Sequence, residues 1–291
     1  MSISGQNLTI VIVTLKSEKV IHQCIKSIDT NIPIIVVENS NDIKFKEDLE
    51  SKYKNLKCVL SKSNIGMGAG NNVGMKLAKT DYVLILNPDV ILRNEALNEI
   101  FLASKKLNEF SILSPISSDE KFPNYGMFNK KSNIENKNYP FKVDYVDGFA
   151  MLLNKIKLKE EIYFDENFFM YLENNDLCLR TRKKGGLIYV IPGAKIEHGG
   201  AKGVNPKYKE EVELSRNWHW VWSKYYFNKK NYGTFKALQE CFLGFVGSIF
   251  KFLFFFIIRK DFKRKIYFNR VSGFYNAFIG KSSWYRPDLQ D

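Results

Sequence analysis

The sequence feature that most constrains the fold is a regular alternation of apolar runs within the first 107 residues. Between these runs, residues 17–30, 42–53 and 68–80 carry apolar positions at helical spacing. The runs themselves are short and rich in β-branched residues, and they predict buried strands: LTIVIVTL (8–15), IPIIVVENS (32–40), LKCVLSKS (56–63) and DYVLILNPD (81–89). Strands that alternate with helices in this way predict right-handed crossovers and an α/β, Rossmann-like fold, with a mostly parallel sheet covered by helices on both faces.

The pattern changes after residue 107. FSILSPIS and VDYVDGFAMLLNK predict further strands, and the polar stretch 118–142 between them predicts a long surface loop. LENNDLCLRTRKKGG predicts a helix stopped by Gly185 and Gly186, and LIYVIPGAKIEHGG predicts a strand. From residue 207 onward the spacing is helical and amphipathic. We therefore predict one α/β domain at 1–205 and a helical, basic and aromatic appendage at 206–291.

Cysteine and histidine usage argues against two classes of small stabilised domain. The four cysteines have no CxxC spacing, and the three histidines do not cluster with them, so we expect neither a disulfide framework nor a structural zinc site. The N-terminal MSISGQN leads directly into the first predicted strand, without a basic and apolar leader. This pattern predicts a cytoplasmic protein.

The C-terminal region is basic and aromatic. Residues 206–291 contain 16 Lys and Arg against 7 Asp and Glu, and 24 of the 42 aromatic residues, including all four Trp. This composition predicts an anionic partner, either a membrane or a nucleic acid. Acids elsewhere in the chain (Asp89, Glu173 and Asp176) would repel a nucleic-acid phosphate channel and would have no role in one, so we favour the membrane and expect no nucleic acid.

The apolar run at 241–258 is barely long enough to span a bilayer, and Lys251 interrupts it. Three arrangements remain open: a membrane span, an in-plane amphipathic helix with RKDFKRK (259–265) on anionic head groups, and burial against the core or a second subunit in a homo-oligomer. The in-plane arrangement is favoured, and it predicts a peripheral location on the inner face of the cell membrane.

Polar residues follow the predicted strands at their carboxyl ends, where open parallel sheets bind ligands. They are Glu38, Asn39 and Ser40 after the second strand, Asn64 after the third, and Asn87 and Asp89 after the fourth. Asp89 projects from a strand end, where a divalent cation that bridges two phosphates needs a carboxylate oxygen. Alternatively, Asp89 caps the helix that begins near Asn94.

The stretch NIGMGAGNNVG (64–74) contains a glycine-rich loop. Gly66 and Gly68 fit G-x-G-x-x-G, but Asn71 occupies the place of the third glycine, and the Lys of a P-loop is missing. The pattern therefore predicts a tight loop that opens a helix. Its N–H groups either face an anion or belong to a purely structural turn.

Glu173 and Asp176 lie three residues apart, on one face of the first turn of a predicted helix. They either compensate the helix dipole or serve as active-site acids. The preceding aromatic residues would desolvate a carboxylate and raise its pKa, which suits a general base. His198 ends a predicted strand before two glycines, and we expect it to be structural unless Asp89 faces it.

Taken together, these motifs resemble the inverting family 2 glycosyltransferases of the GT-A fold, in particular their rhamnosyltransferase-like branch. The resemblance runs from Leu8 to about Lys281 and keeps the family's order: VVENS, NIGMGAGNNVG, LILNPDV, VDGFAMLLNK, FDENFFMYLENNDLCLR and IEHGG. LILNPDV is similar to the N-P-D form of the family's metal-binding D-x-D motif.

The resemblance implies roles for individual residues. The nucleotide-sugar donor would be bound by Thr14, Glu38, Asn39, Asn64, Gly66, Asn72, Asn87 and Asp89, with Glu38 facing the base. Asp89 and His198 would hold Mg²⁺ or Mn²⁺, and Asp147 and Gly148 would line the acceptor side. Glu173 and Asp176 would be the catalytic acids, with Glu173 favoured as the base.

One position departs from the family pattern, because many relatives carry an acid where this chain has Asn174. Either Glu173 is the base and Asp176 supports the helix or an arginine such as Arg180, or the protein binds donor and transfers nothing. The implied reaction is a single displacement with inversion. The branch favours dTDP-L-rhamnose as donor, while UDP-hexoses, including a galactofuranose donor, remain open; the implied acceptor is a saccharide, lipid-linked for a membrane-bound enzyme.

Overall fold

The computed structural model describes residues 5–107, 109–119, 123–127, 138–158, 160–199 and 203–289. The chain divides into two compact units. The first comprises Met1–Asp165 and Asn174–Asn205, and the second comprises Glu166–Glu173 and Pro206–Asp291. The chain thus enters the second unit for eight residues in the middle of the sequence, which no sequence pattern indicated.

The first unit is built on a mixed sheet. Its strands are β1 (Leu8–Thr14), β2 (Ile34–Glu38), β3 (Leu56–Leu60), β4 (Tyr82–Leu86), β5 (Val90–Ile91), β6 (Ile112–Ser117), β7 (Tyr125–Gly126), β8 (Phe141–Lys142), β9 (Tyr145–Val146), β10 (Ala150–Asn154) and β11 (Ile188–His198). Nine strands form one sheet in the order β3-β2-β1-β4-β10-β6-β11-β5, with β8 on β11, and β7 pairs with β9. Strands β1 to β4 are parallel, as predicted, whereas β10 runs antiparallel between β4 and β6.

Helices cover both faces of this sheet. They are α1 (Ile21–Lys26), α2 (Ile43–Lys52), α3 (Met67–Leu77), α4 (Asn94–Lys106), α5 (Lys155–Leu158) and α6 (Glu173–Lys183). Alternate residues of β1 serve the two sides: Ile10 and Ile12 pack with α1, α2 and α4, whereas Val11 and Val13 pack with α3 and α6. The predicted two-faced α/β architecture is confirmed.

The predicted loop at 118–142 is partly wrong. Strands β7 and β8 lie within that range, so its described part contributes to two sheets. Residues 120–122 and 128–137 of this prediction lie outside the described residues.

The strand order creates a topological switch point beside β1. The chain proceeds from β1 outward to β2 and β3, and then returns to place β4 on the other side of β1. Open α/β sheets bind ligands at the carboxyl ends of the strands at such a point. Thr14 ends β1 and is paired in register with Glu38, which ends β2. The sheet therefore brings these two predicted donor residues side by side.

The second unit contains three long helices: α7 (Lys209–Tyr232), α8 (Thr234–Ile257) and α9 (Asp261–Phe278). Its core joins all three and consists of Trp218, Trp222, Tyr225, Ala237, Cys241, Phe274 and Ala277. A Cβ atom at Gly273 would lie 2.4 Å from the carbonyl oxygen of Trp218, so the close approach of α9 to α7 requires glycine there.

Among the described residues, α8 is the one helix long and apolar enough to cross a membrane by length and composition. Core helices of soluble proteins pass the same test, but they are mostly buried, whereas only 11% of the apolar window of α8 is buried. Its exposed apolar side chains include Phe235, Phe242, Leu243, Phe250, Leu253, Phe254, Phe256 and Ile257.

Candidate active site

Asp89 and His198 meet at one edge of the sheet. Strand β11 pairs antiparallel with β5, and this register sets His198 opposite Val90, next to Asp89 in sequence. The Nε2 atom of His198 lies 3.4 Å from Oδ1 of Asp89, and the Gly199 N–H donates to the Asp89 carbonyl oxygen at 2.9 Å. The end of β11 therefore holds both the backbone and the side chain of Asp89.

The alternative of a helix cap for Asp89 is wrong. The N-cap residue of α4 is Arg93, and no side chain caps this helix. Asp89 is instead buried beside His198, whose ring stacks on Phe149 with centroids 4.2 Å apart. Because Phe149 fixes the plane of the imidazole, Nε2 is presented to Asp89. Asp89 thus faces His198, as any role of this histidine beyond a structural one requires.

The Asp89 and His198 pair would hold a divalent cation only together with further ligands, which substrate would have to supply. Within the described ranges, no cluster of three or more His, Cys, Asp or Glu could hold a metal by itself. A carboxylate with an imidazole suits Mn²⁺ better than Mg²⁺, which prefers oxygen ligands.

Burial and the charge of Asp89 raise the pKa of Cys24 to about 12, so its thiol stays protonated and donates to the Asn87 carbonyl oxygen.

Two predicted donor residues, Asn39 and Gly66, shape the loop ahead of α3. The Asn39 amide donates to the Gly66 carbonyl oxygen at 3.1 Å and accepts from Ser61 Oγ at 3.0 Å. Gly66 has φ of 89° and is the N-cap residue of α3, while Asn64 Oδ1 accepts from the Gly66 N–H at 3.2 Å. This geometry agrees with the predicted tight loop and explains why residue 66 is glycine.

Thr14 and Glu38 differ in how their side chains are occupied. Thr14 is buried, and its hydroxyl has no hydrogen-bond partner within the described part of the chain. The Glu38 carboxylate accepts from the N–H groups of Ser40 and Asp42 and from the Ser40 hydroxyl. It therefore fixes the turn that leads into α2. A contact between Glu38 and a nucleotide base stays a prediction.

Asn72 has a structural role, and its predicted donor contact stays a prediction. Its amide nitrogen donates to the Phe164 carbonyl oxygen at 2.7 Å, and its amide oxygen accepts from the Phe164 N–H at 2.9 Å. Both polar atoms thus clamp the backbone of one residue. Its neighbour Asn71, which sequence reasoning treated only as a missing glycine, is buried with an amide oxygen that has no partner among the residues described.

Glu173 opens α6 and is 9% exposed. Burial raises the pKa of Glu173 to about 7, although a hydrogen bond from its own backbone N–H works in the opposite direction. Its Oε2 atom is buried without a hydrogen-bond partner in the described residues. A carboxylate with a pKa near neutrality is well suited to accept a proton from a hydroxyl.

The backbone just before Glu173 is strained. Tyr171 and Leu172 have φ angles of 70° and 66°. Left-handed backbone costs a non-glycine residue about 1–3 kcal/mol and clusters at functional sites. Two such residues in succession, directly ahead of a buried acid, indicate that the position of Glu173 is specified by its surroundings.

Asp176 pairs with an arginine of its own helix, which agrees with the alternative that it supports the helix or Arg180, and its catalytic role stays a prediction. It is fully buried, and its Oδ2 atom accepts from Arg180 Nε at 2.9 Å. Arg180 also pairs with Glu160 at 3.2 Å and donates to the Tyr163 carbonyl oxygen. An acid with no exposed surface and a cationic partner supports the helix, which leaves Glu173 as the candidate base.

Asn174 supports the segment predicted to line the acceptor side. Its amide nitrogen donates to the Val146 carbonyl oxygen at 2.7 Å, and a Cβ atom at Gly148 would lie 3.5 Å from Asn174 Cβ. Asp147 lies between Val146 and Gly148 in sequence, and partial desolvation by neighbouring groups raises the pKa of its carboxyl. The amide of Asn174 therefore has a structural role, because its nitrogen holds the backbone at Val146.

A family model provides the identification. The model described as Glycosyl transferase family 2 matches residues 9–160, which is just over half of the chain. The matched segment contains β1 to β10 and Asp89. The chain belongs to this family.

Three relatives are similar to the chain over most of its length. The low-salt glycan biosynthesis hexosyltransferase Agl10 of Haloferax volcanii is 27% identical over 61% of this chain and 62% of that protein. The rhamnosyltransferase WbbL of Escherichia coli is 26% identical over 58% of this chain and 74% of that protein. The dTDP-rhamnosyl transferase RfbF of Shigella flexneri is 24% identical over 69% of this chain and 72% of that protein. The match thus spans less than two thirds of the archaeal relative's own length. The chain is rhamnosyltransferase-like in sequence.

Solved structures agree on the fold. GalNAc-T7, crystallised with UDP, GalNAc and Mn²⁺, matches with a TM-score of 0.53 at 15% identity, over 77% of this chain and 50% of that one. Residues 1–349 of TarS from Staphylococcus aureus match with a TM-score of 0.52 at 14% identity, over 98% of this chain and 94% of that one. At such identities the likeness shows the GT-A fold and nothing further.

Proposed function

We propose that the protein is an inverting glycosyltransferase that moves a sugar from a nucleotide-sugar donor to a saccharide acceptor. The proposal is carried by the Asp89 and His198 pair, because Asp89 follows β4, the strand that lies beside β1 at the switch point of a family 2 fold. The unpaired hydroxyl of Thr14 offers the nucleotide a further contact at the end of β1.

In the proposed reaction, the acceptor hydroxyl loses its proton to Glu173, and its oxygen forms a bond to the anomeric carbon of the donor. The bond from that carbon to the diphosphate oxygen breaks at the same time, and the configuration inverts. Asp89 and His198 would hold Mg²⁺ or Mn²⁺, which when bound supplies Lewis-acid stabilisation of the diphosphate. Glu173 suits the base role because its pKa is raised to about 7 and its carboxylate is ready to accept a proton.

The donor we favour is dTDP-L-rhamnose. Two of the relatives carry rhamnosyl transfer in their names, and one of these names specifies dTDP-rhamnose. UDP-hexoses, including a galactofuranose donor, are the second choice, because the name of the hexosyltransferase relative leaves the sugar open.

A thermal-shift panel tests the donor. Purified protein is heated with dTDP-L-rhamnose, UDP-galactofuranose or UDP-glucose, with and without Mn²⁺, and release of nucleoside diphosphate is then followed with saccharide acceptors. A true donor stabilises the folded state by mass action, by about 2.7 kcal/mol at a hundred times its Kd. Absence of stabilisation by every sugar nucleotide would contradict the proposal. Donor binding without transfer, unchanged in the Glu173→Gln variant, would indicate a non-catalytic family member.

We further propose that the second unit binds the inner surface of the cell membrane and that the acceptor is lipid-linked. The largely exposed apolar surface of α8 supports an in-plane membrane contact, since monomeric soluble proteins rarely expose large apolar patches. The cations that follow it, Arg259, Lys260, Lys263, Arg264 and Lys265, would attract anionic head groups. An enzyme on that surface searches for a lipid-linked acceptor in two dimensions.

A further inference from the structure

The segment Glu166–Glu173, here called the base loop, belongs to the second unit, here called the helical unit. Residues of the first unit, here called the sheet domain, flank it in sequence. It ends in the two left-handed residues Tyr171 and Leu172, followed by Glu173. Such a backbone persists only where contacts over-determine it. The groups that hold the base loop therefore decide where Glu173 lies.

Helix α7 contacts four successive residues of the base loop. The pairs are Tyr226 with Phe168 (centroids 4.9 Å apart), His219 with Phe169 (4.4 Å), Ser223 Oγ with the Met170 carbonyl oxygen (2.7 Å) and Trp220 with Tyr171 (5.5 Å). His219 and Ser223 are one helical turn apart, so one face of α7 serves as the support.

The C-terminal tail, residues 281–289, provides a second support. Ser283 Oγ donates to the Asn167 carbonyl oxygen at 2.6 Å, and the Arg286 guanidinium lies 3.8 Å from the ring centroid of Phe169. His219 Nε2 donates to the Tyr285 carbonyl oxygen at 2.8 Å, which ties the tail to α7. The base loop is thus held by residues more than 110 positions further along the chain.

We propose that the C-terminal tail and the 219/223 face of α7 position the catalytic base, with Arg286, Ser283 and His219 as positioning residues. The inference rests on the proposed function, which makes Glu173 the base. A loop that has lost one anchor holds its carboxylate less accurately, and a displacement of about 1 Å at a reacting group can lower a rate by about a hundredfold.

Several charged or titratable side chains surround the base loop. They are Glu213, Arg216, His219 and Lys230 of α7 and Arg286 of the tail. His219 stays neutral, because burial lowers its pKa to about 3. It therefore acts through shape and through its hydrogen bond to Tyr285 over the whole pH range of an assay.

The experiment compares Arg286→Ala, Arg286→Lys and Ser283→Ala in the full chain. Arg270→Ala is the matched control, since Arg270 also lies over a ring, that of Tyr267, in the same unit, and its guanidinium bonds to Asn217 and not to the base loop. The measurements are kcat, the donor KM, the pH dependence of kcat and binding of nucleoside diphosphate. The last measurement reports whether the sheet domain is folded.

We expect Arg286→Ala to lower kcat by about 10- to 100-fold, as for a misplaced reacting group, with the donor KM little changed. Water that enters the loosened loop should move the kinetic pKa of the base toward that of an ordinary glutamate. Arg286→Lys, which keeps a cation over the Phe169 ring, should lie between wild type and Arg286→Ala. Ser283→Ala should give a smaller decrease in kcat, and Arg270→Ala should match wild type.

Unchanged kcat and pH profiles in Arg286→Ala and Ser283→Ala would overturn the inference, as would an equal loss in Arg270→Ala. If Arg286→Ala no longer binds nucleoside diphosphate, Ser283→Ala, which deletes a single oxygen, decides the matter. Failure of the proposed function looks different, because wild type itself would then transfer no sugar.

Discussion

The imidazole of His198 and the carboxylate of Asp89 lie 3.4 Å apart, at the ends of elements from opposite halves of the chain. Helices α1 and α2 carry a second pair of the same chemistry, since His22 Nε2 lies 3.2 Å from Asp48 Oδ2. The side chain of Asp89 is 5% exposed against 39% for Asp48, whereas the two histidine side chains are similarly exposed. The two pairs therefore offer a site and an internal control.

Loss of either member of the first pair should weaken metal binding. We expect Asp89→Asn and His198→Ala to lower Mn²⁺ affinity at least about tenfold, the loss found when even an outer partner of a metal site is removed. The measurement is Mn²⁺ titration by electron paramagnetic resonance in the presence of nucleoside diphosphate. The variants Asp48→Asn and His22→Ala should titrate like wild type. Four identical titration curves would place the metal elsewhere.

Glu173→Gln should abolish transfer and change the pH dependence of stability. The folded-state pKa of about 7 lies above the unfolded value of 4.5, so the folded protein holds the extra proton between them. The contribution of this proton to the free energy of unfolding is complete below about pH 4.5 and is lost as the pH rises through about 7. The loss amounts to roughly 3 kcal/mol at most. The Glu173→Gln variant should not show this loss, because glutamine does not titrate. Its stability relative to wild type should therefore increase between about pH 5 and about pH 8.

Urea unfolding at the two pH values measures this effect. Glu47→Gln is the control, because this exposed glutamate on α2 should leave the pH dependence as in wild type. Parallel stability curves for wild type and Glu173→Gln would mean that Glu173 is not buried as a neutral acid. The same proton sets the rate, so wild-type kcat should rise with pH through about 7.

Asp176→Asn should unfold the protein more easily without removing a catalytic group. Arg180 would lose the charge of its fully buried partner, and breaking such a pair from one side costs about 3–5 kcal/mol. The double variant Asp176→Asn/Arg180→Gln should recover part of the loss, which a double-mutant cycle measures. As a control, Glu240→Gln removes an exposed ion pair with Lys236 and should cost no more than about 1 kcal/mol. Full stability of Asp176→Asn would contradict the positioning role.

Restoring the family's acid at position 174 should be harmful. Asn174→Ala loses a buried hydrogen bond to the Val146 carbonyl oxygen, at a cost of about 1–3 kcal/mol. Asn174→Asp should cost more, because its carboxylate would face that carbonyl oxygen. Thermal unfolding and kcat are measured for both variants. Higher activity in Asn174→Asp would show that the amide impairs catalysis in this chain.

The exposed face of α8 should determine vesicle binding. Leu243, Phe250 and Phe254 are 81%, 68% and 55% exposed and share one face. The triple serine variant at these positions should lose flotation with anionic liposomes, because burial of each such side chain contributes about 1.5–3 kcal/mol. Ile43, Leu102 and Ile156 are similarly exposed in the sheet domain, and their triple serine variant is the control. Equal flotation of both triple variants, or wild-type binding to oligonucleotides alone, would exclude the proposed membrane surface.

The elements of the fold that depend on local sequence patterns were predictable from the sequence. The β-branched runs marked β1 to β4, and the strand-end rule identified Thr14, Glu38 and Asp89 as residues at or just beyond the carboxyl ends of β1, β2 and β4. The antiparallel direction of β10 was not predictable, because a fully buried apolar strand has no directional signal.

Side-chain roles were harder to predict than strand positions. Asp176 and Glu173 look alike on a helical wheel, and only burial and the Arg180 contact separate them. The clamp by Asn72 depends on Phe164, far along the chain, so no local pattern reports it. Membership of the base loop in the helical unit depends likewise on partners at 219, 223, 283 and 286.

The late position of the tail in the sequence has a consequence for biosynthesis. Asn167 is translated 116 residues before Ser283, its hydrogen-bond partner. At about 5–20 residues per second, a ribosome needs roughly 6–23 seconds to cover that distance. Glu173 therefore emerges from the ribosome before the tail residues that hold its loop, and the loop reaches its final position only after those residues have been translated.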